Sequence, residues 1–161
     1  MLLMTRVDHR LLHGQVSIAW TSHLGIDCIL IANDDVAQND FRKSVLRLAK
    51  PLECKIVFNS IEDSAKAIND GKTDKFKLLI IVETVHDARR LCEMCDIIKE
   101  VNIGLSQKKK DSKAIGKAVY LDKSEIDDIK ALDRKGIKLF LQQAPKNFEV
   151  SINTMLNKGE L

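Results

Sequence analysis

Eleven residues near the start of the chain, Arg6 to Val16, bring together two arginines, one aspartate, two histidines and a glycine. A neutral imidazole is nucleophilic near neutral pH, and it can accept a phosphoryl group and release it again. Such transfer asks a protein mainly for in-line positioning and for donors to the equatorial oxygens. His13 has the setting of an acceptor. Gly14 removes side-chain bulk beside it, the amides of Gly14, Gln15 and Val16 open a helix whose N-terminus favours an anion, and Arg10 supplies a planar cationic fork. Asp8 is placed to fix the imidazole tautomer, although a carboxylate beside a phosphoryl group also repels it. Against this stands the ordinary role of a histidine before a helix, which is packing or hydrogen bonding, and Asp8 and Arg10 can also simply pair on the surface. His9 points the other way in an extended loop. His23 falls on an apolar stripe and is expected to be packed, and His86 lies in the first turn of a helix.

From Leu11 to Ile26 there is no Asp, Glu, Lys or Arg. The charge therefore sits before the helix, and the helix is expected to be largely buried. Aliphatic runs at about 2–7, 27–32, 54–58, 77–82, 100–103, 118–121 and 137–142 alternate with helix-length segments. Several, such as Ile29 to Ile31 and Leu79 to Val82, are apolar at successive positions, as in parallel strands covered on both faces. The expected fold class is three-layer α/β/α, with a mostly parallel sheet of six or seven strands, helices on both faces and one domain over residues 1–161. Phe41, Val45, Leu48 and Ala49 form a helical stripe that stops before Pro51. Ser60 with Asp63, Thr84 with Asp87, and Ser124 with Asp127 resemble helix-starting capping pairs. Four lysines between Gly104 and Lys113 mark a surface loop. At the carboxyl end of a strand that loop would suit an anion, and Arg6, Arg10 and these lysines are expected to converge on one site. A solvated lysine run is the alternative.

Lys and Arg number 26 against 23 Asp and Glu, for a net charge of +3. The signs are interleaved, and aromatic residues make up only 4%, which leaves no stacking platform for nucleic acid. The four cysteines do not form a disulfide framework in a chain able to build its own core, and a reducing cytoplasm is the expected compartment. Cys92 and Cys95 lie late in a helix, without the helix-N-terminal setting of a redox dithiol, and no second pair completes a zinc site. No cofactor or metal is expected. The apolar runs are too short to span a membrane, so any membrane association is expected to go through a partner.

Asp8-His-Arg10-Leu-Leu-His13-Gly-Gln-Val16, followed by Ile31-Ala-Asn33-Asp34 after the second strand, closely resembles the IIB component of the mannose/fructose/sorbose class of bacterial sugar phosphotransferase systems. Val101 to Gly104, Lys117 to Leu121 and Gln142 to Pro145 fit the same family in the same order. The resemblance implies a cytoplasmic phosphotransferase subunit. Its active-site His13 takes a phosphoryl group from a histidine of the cognate IIA protein or domain and passes it to a sugar entering through the membrane IIC and IID subunits. It also implies that Asp8 and Arg10 flank the phosphoryl site and that Asn33 and Asp34 lie in a neighbouring loop, and it allows a homodimer; Gly14 and Gln15, through their amides, and Gly104 are the further candidate contacts to the phosphoryl group. Leu105 stands where family members often have a second glycine. A non-enzymatic anion-binding module of the same fold is the other reading.

Overall fold

The computed structural model describes residues 1–161, except for the side chains of Gln15 and Val16. A seven-stranded sheet has the order β3 (Lys55–Asn59), β2 (Cys28–Ala32), β4 (Leu78–Val82), β1 (Leu2–Asp8), β5 (Glu100–Leu105), β8 (Lys138–Leu141), β9 (Val150–Ser151). Every pairing is parallel except that of β9, which closes the edge antiparallel to β8. Strands β2 and β4 show why their sequences are continuously apolar. Cys28, Leu30, Ala32, Leu78, Ile80 and Val82 join the core on one face, whereas Ile29, Ile31, Leu79 and Ile81 join the core on the other.

The larger core lies under α4 (Ile61–Asn69), α5 (Val85–Met94), α6 (Lys123–Arg134) and α7 (Ile152–Asn157). The smaller one lies under α1 (Gly14–Leu24), α2 (Asp34–Ala37) and α3 (Asp40–Arg47). The result is three layers, α/β/α. Strand β1 feeds α1 on one face, and its neighbour β5 leads on to α6 on the other. The connections thus diverge above adjacent strands and open a crevice at their carboxyl ends, the place where open α/β sheets bind ligands.

Several local expectations change. The run at 118–121 is not in the main sheet: β7 (Tyr120–Leu121) pairs antiparallel with β6 (Lys113–Ala114) in a separate ribbon. Ser60 and Thr84 do cap their helices, accepting from the amides of Asp63 and Asp87. The third cap lies two residues earlier than expected, where Asp122 and Glu125 make a reciprocal capping box. Most of the α3 stripe faces outward: Phe41, Val45 and Leu48 are exposed, Ala49 is half-buried against the smaller core, and Leu46 is the buried residue. Nor is α1 wholly buried. Its uncharged outer face leaves Ile18 half exposed and His23 exposed, the imidazole standing edge-on to Trp20 at 6.1 Å.

Candidate active site

The site begins with two residues of β1. Arg6 and Asp8 are two apart on a strand and so share a face. Both are buried, at 2% and 0% exposure. Arg6 Nε and Nη2 donate to Asp8 Oδ2 at 3.3 and 3.2 Å. Burial pushes the Arg6 guanidinium below its usual range, and the charge of Asp8 opposes that shift.

After Asp8 the chain turns sharply. Leu11 donates its amide to the carbonyl of Asp8 at 2.9 Å and adopts φ 58°, a left-handed conformation that is uncommon for a non-glycine residue. Leu11 and Leu12 are buried in the smaller core, and this burial anchors the strained turn. Gly14, at φ +33°, supplies a second positive φ, which a side chain at that position would disfavour. Between them His13 is the N-cap of α1, in extended conformation, its amide donating to Ser17 Oγ at 3.2 Å.

His13 Nε2 lies 2.9 Å from Asp8 Oδ2, with 12% of the side chain exposed. An ionised carboxylate only accepts, so this contact puts the ring proton on Nε2 and leaves the lone pair on Nδ1. Among the described residues Nδ1 has no hydrogen-bond partner. Asp8 Oδ1 accepts the Arg10 amide at 3.0 Å. The Arg10 side chain is exposed and, among the described residues, makes no ion pair. Asp8, Arg10, His13 and Gly14 therefore share one turn; Gln15 lies outside the described side chains.

Asn33 and Asp34 have their polar groups committed to the protein. Asn33 caps α2 through the Val36 amide at 2.9 Å and donates to Glu83 at 2.8 Å. Asp34 accepts the Ile61 amide at 2.9 Å and pairs with Arg90 at 2.8 Å. The Ile61 amide first, and then Arg90, hold the Asp34 carboxyl below the usual range. Both residues brace the loop after β2, a strand that β4 separates from β1. Gly104 is buried, and the space its missing side chain leaves is filled by Arg6: a Cβ there would stand 2.1 Å from Arg6 Cζ. Its role in the fold is thus to admit the arginine.

Three of the four loop lysines are engaged with groups other than His13. Lys109 pairs with Asp122 and Glu125 at the start of α6, Lys113 donates to the carbonyl of Glu160, and Lys108 lies over the Tyr120 ring. Arg6 likewise faces inward to Asp8 instead of outward. Cys92 and Cys95 are buried in the larger core, where burial pushes their thiols up to about 12 and about 11, far from a reactive thiolate. Among the described residues, no three His, Cys, Asp or Glu side chains gather as metal ligands.

Sequence reading missed the outer support of Asp8, built by Arg6, Asn102 and the Gln142 carbonyl. The two-residue spacing of Arg6 and Asp8 on a strand was its one local signal.

The family model for the sorbose-subfamily IIB component of the phosphotransferase system matches residues 2–161. This chain is a sorbose-subfamily IIB component. The N-acetylgalactosamine-specific phosphotransferase enzyme IIB component 1 of Escherichia coli K12 is 30% identical over 145 residues, covering 89% of this IIB chain and 91% of its own. The sorbose-specific EIIB component of Klebsiella pneumoniae is 29% identical over 155 residues, covering 96% and 94%. The crystal structure of the IIBSor domain of the sorbose permease from Klebsiella pneumoniae superposes with a TM-score of 0.90, covering 98% of this chain and 96% of that one. IIB components are phosphotransferase subunits of sugar transport systems, and this one joins that class. No helix in its described residues is long and apolar enough to cross a membrane.

Proposed function

We propose that this IIB component carries a phosphoryl group on Nδ1 of His13, taking it from a phosphohistidine of its cognate IIA protein or domain and giving it to a sugar that enters through membrane IIC and IID subunits. The observation that carries this reading is the 2.9 Å contact between His13 Nε2 and Asp8, which commits one ring nitrogen and leaves the other as the nucleophile. A linkage to IIA has a parallel in the mannose-specific EIIAB component of Escherichia coli, of which the matching region makes up 48%.

In the first step the Nδ1 lone pair attacks phosphorus, and the P–N bond to the donor imidazole breaks, its electron pair returning to the donor nitrogen. The His13 ring keeps its Nε2 proton and becomes positively charged, and Asp8 stabilises that charge as a carboxylate does behind a catalytic imidazole. Arg10 is the fork that closes on the phosphoryl oxygens. In the second step a sugar hydroxyl oxygen attacks phosphorus, the P–N bond breaks with its electrons returning to Nδ1, and the hydroxyl proton leaves to solvent. A cationic ring is the better leaving group, so the Asp8 contact serves both steps.

The protein works at the inner face of the membrane, held there by its partners. The test is labelling from phosphoenolpyruvate with enzyme I, HPr and the cognate IIA. Acid-labile phosphate is expected on the wild-type chain and none on His13→Ala. Equal labelling of both would overturn the assignment. Phosphate binding that survives His13→Gln, with no labelling from any donor, would make the chain an anion-binding module instead.

A further inference from the structure

Each nitrogen of the buried Arg6 guanidinium donates to the protein. Beyond its two bonds to Asp8, Nη1 donates to Asn102 Oδ1 at 2.6 Å and to the Gln142 carbonyl at 3.1 Å. Asn102 Nδ2 donates to that same carbonyl at 3.0 Å, so the end of β8 is part of the cradle. The guanidinium lies 5.9 Å from the Trp20 ring centroid of α1, and it also packs against Gly104. Four separate segments thus hold one cation at one position and orientation.

This arrangement answers a difficulty in the site. Asp8 must sit against His13 to orient it, yet an uncompensated carboxylate there would repel a dianionic phosphoryl group. We propose that Arg6 is a positioning residue for phosphoryl transfer: by clamping Asp8 from behind it fixes the His13 ring with Nδ1 free, and it offsets part of the carboxylate charge that the phosphoryl group would otherwise meet. Arg6 does not touch the phosphoryl group. Gly104 belongs to the same device, because any side chain there displaces the guanidinium. The proposal rests on the reading of His13 as acceptor.

Three variants test it. Arg6→Lys keeps the charge but loses the fork, since a single ammonium cannot reproduce two bonds to Asp8 and two to Asn102 and Gln142. Gly104→Ala alters no charged group and pushes Arg6 out of place. Asn102→Ala removes the 2.6 Å acceptor of Arg6 and the 3.0 Å bond to the Gln142 carbonyl, leaves the two Arg6–Asp8 bonds in place, and gives a milder form of the same change. Two readouts apply: single-turnover phosphorylation against IIA concentration, and the nitrogen NMR signature of the His13 ring.

The expected result is a maximal rate lower by about 10- to 100-fold for the first two variants, as misplacement of a reacting group produces. The IIA concentration at half-maximal rate stays within about twofold. The ring moves from Nε2-protonated to a mixture of tautomers. A general structural weakening would not move the tautomer. Folded Arg6→Lys and Gly104→Ala with wild-type rates and a wild-type ring signature would overturn the clamp, as would a wild-type ring protonated at Nδ1. If the wild-type chain takes no label at all, the function reading fails, while the ring signature still decides the clamp.

Discussion

Asp8→Asn is the sharpest perturbation of the proposed chemistry. The carboxylate accepts from Arg6 Nε and Nη2, from His13 Nε2 and from the Arg10 amide. An amide has one accepting oxygen and one donating nitrogen, so it cannot serve all four. With its oxygen toward His13 and Arg6, its NH2 confronts the Arg10 amide, donor against donor. Turned over, the NH2 confronts the guanidinium and forces Nε2 to accept, which moves the ring proton to Nδ1 and blocks the nucleophile. The first arrangement is the less costly.

Even there the charge is gone. A carboxylate about 4 Å from a cationic ring contributes about 4 kcal/mol at an effective dielectric near 20, and Arg6 offsets part of it. A loss of about 2 to 4 kcal/mol corresponds to a rate lower by about 30- to 1,000-fold. Removing one partner of a buried ion pair also costs about 3–5 kcal/mol of stability. Rapid-quench transfer from phospho-IIA, with thermal unfolding to confirm a folded chain, measures both. Transfer within about threefold of wild type in a folded Asp8→Asn protein would refute the role given to the carboxylate.

Other expectations follow from burial and capping. Leu46→Ala is expected to cost about 2–5 kcal/mol in chemical denaturation, whereas Leu48→Ser and Leu52→Ser, on side chains that are 87% and 98% exposed, stay within about 0.5 kcal/mol. Asp122→Ala removes the α6 cap and is expected to cost about 1 kcal/mol. Asp34 has its folded pKa lowered, mainly by the Ile61 amide, so its stabilisation is fully present above the ordinary carboxylate range and is lost as pH falls through the lowered value. Asp34→Asn should therefore flatten acid unfolding measured by circular dichroism, and an unchanged acid profile would contradict it. Cys92 and Cys95, with thiols pushed up to about 12 and about 11, should resist a disulfide-exchange reagent at mildly alkaline pH until denaturant is added.

The central strands were legible because burial on both faces leaves an unbroken apolar run that few other settings produce. The turn carrying Asp8, Arg10, His13 and Gly14 was legible because its contacts are local. Periodicity located α3 but could not say which side lies on the sheet. Phe41, Val45 and Leu48 repeat at helical spacing and face outward, while Leu46 carries the packing. For α6, two acceptor-acid pairs two residues apart competed, and Asp122 won because Glu125 can reach back to its amide. The lysine loop was misjudged because the acids that neutralise Lys109 lie 13 and 16 residues on. Arg6 needed Asn102, Gly104 and Gln142, which only the sheet brings together.

Trp20 is the sole tryptophan, and its indole N–H donates to the Gln143 carbonyl at 3.1 Å while its ring faces the Arg6 guanidinium. The protein's tryptophan emission therefore comes from a single lamp set against the clamp behind Asp8. Steady-state fluorescence of the unlabelled chain becomes a direct optical record of that clamp. The segment after β8 is wired into the same lamp through Gln143, so a disturbance at that edge of the sheet should change its brightness even when the histidine is untouched.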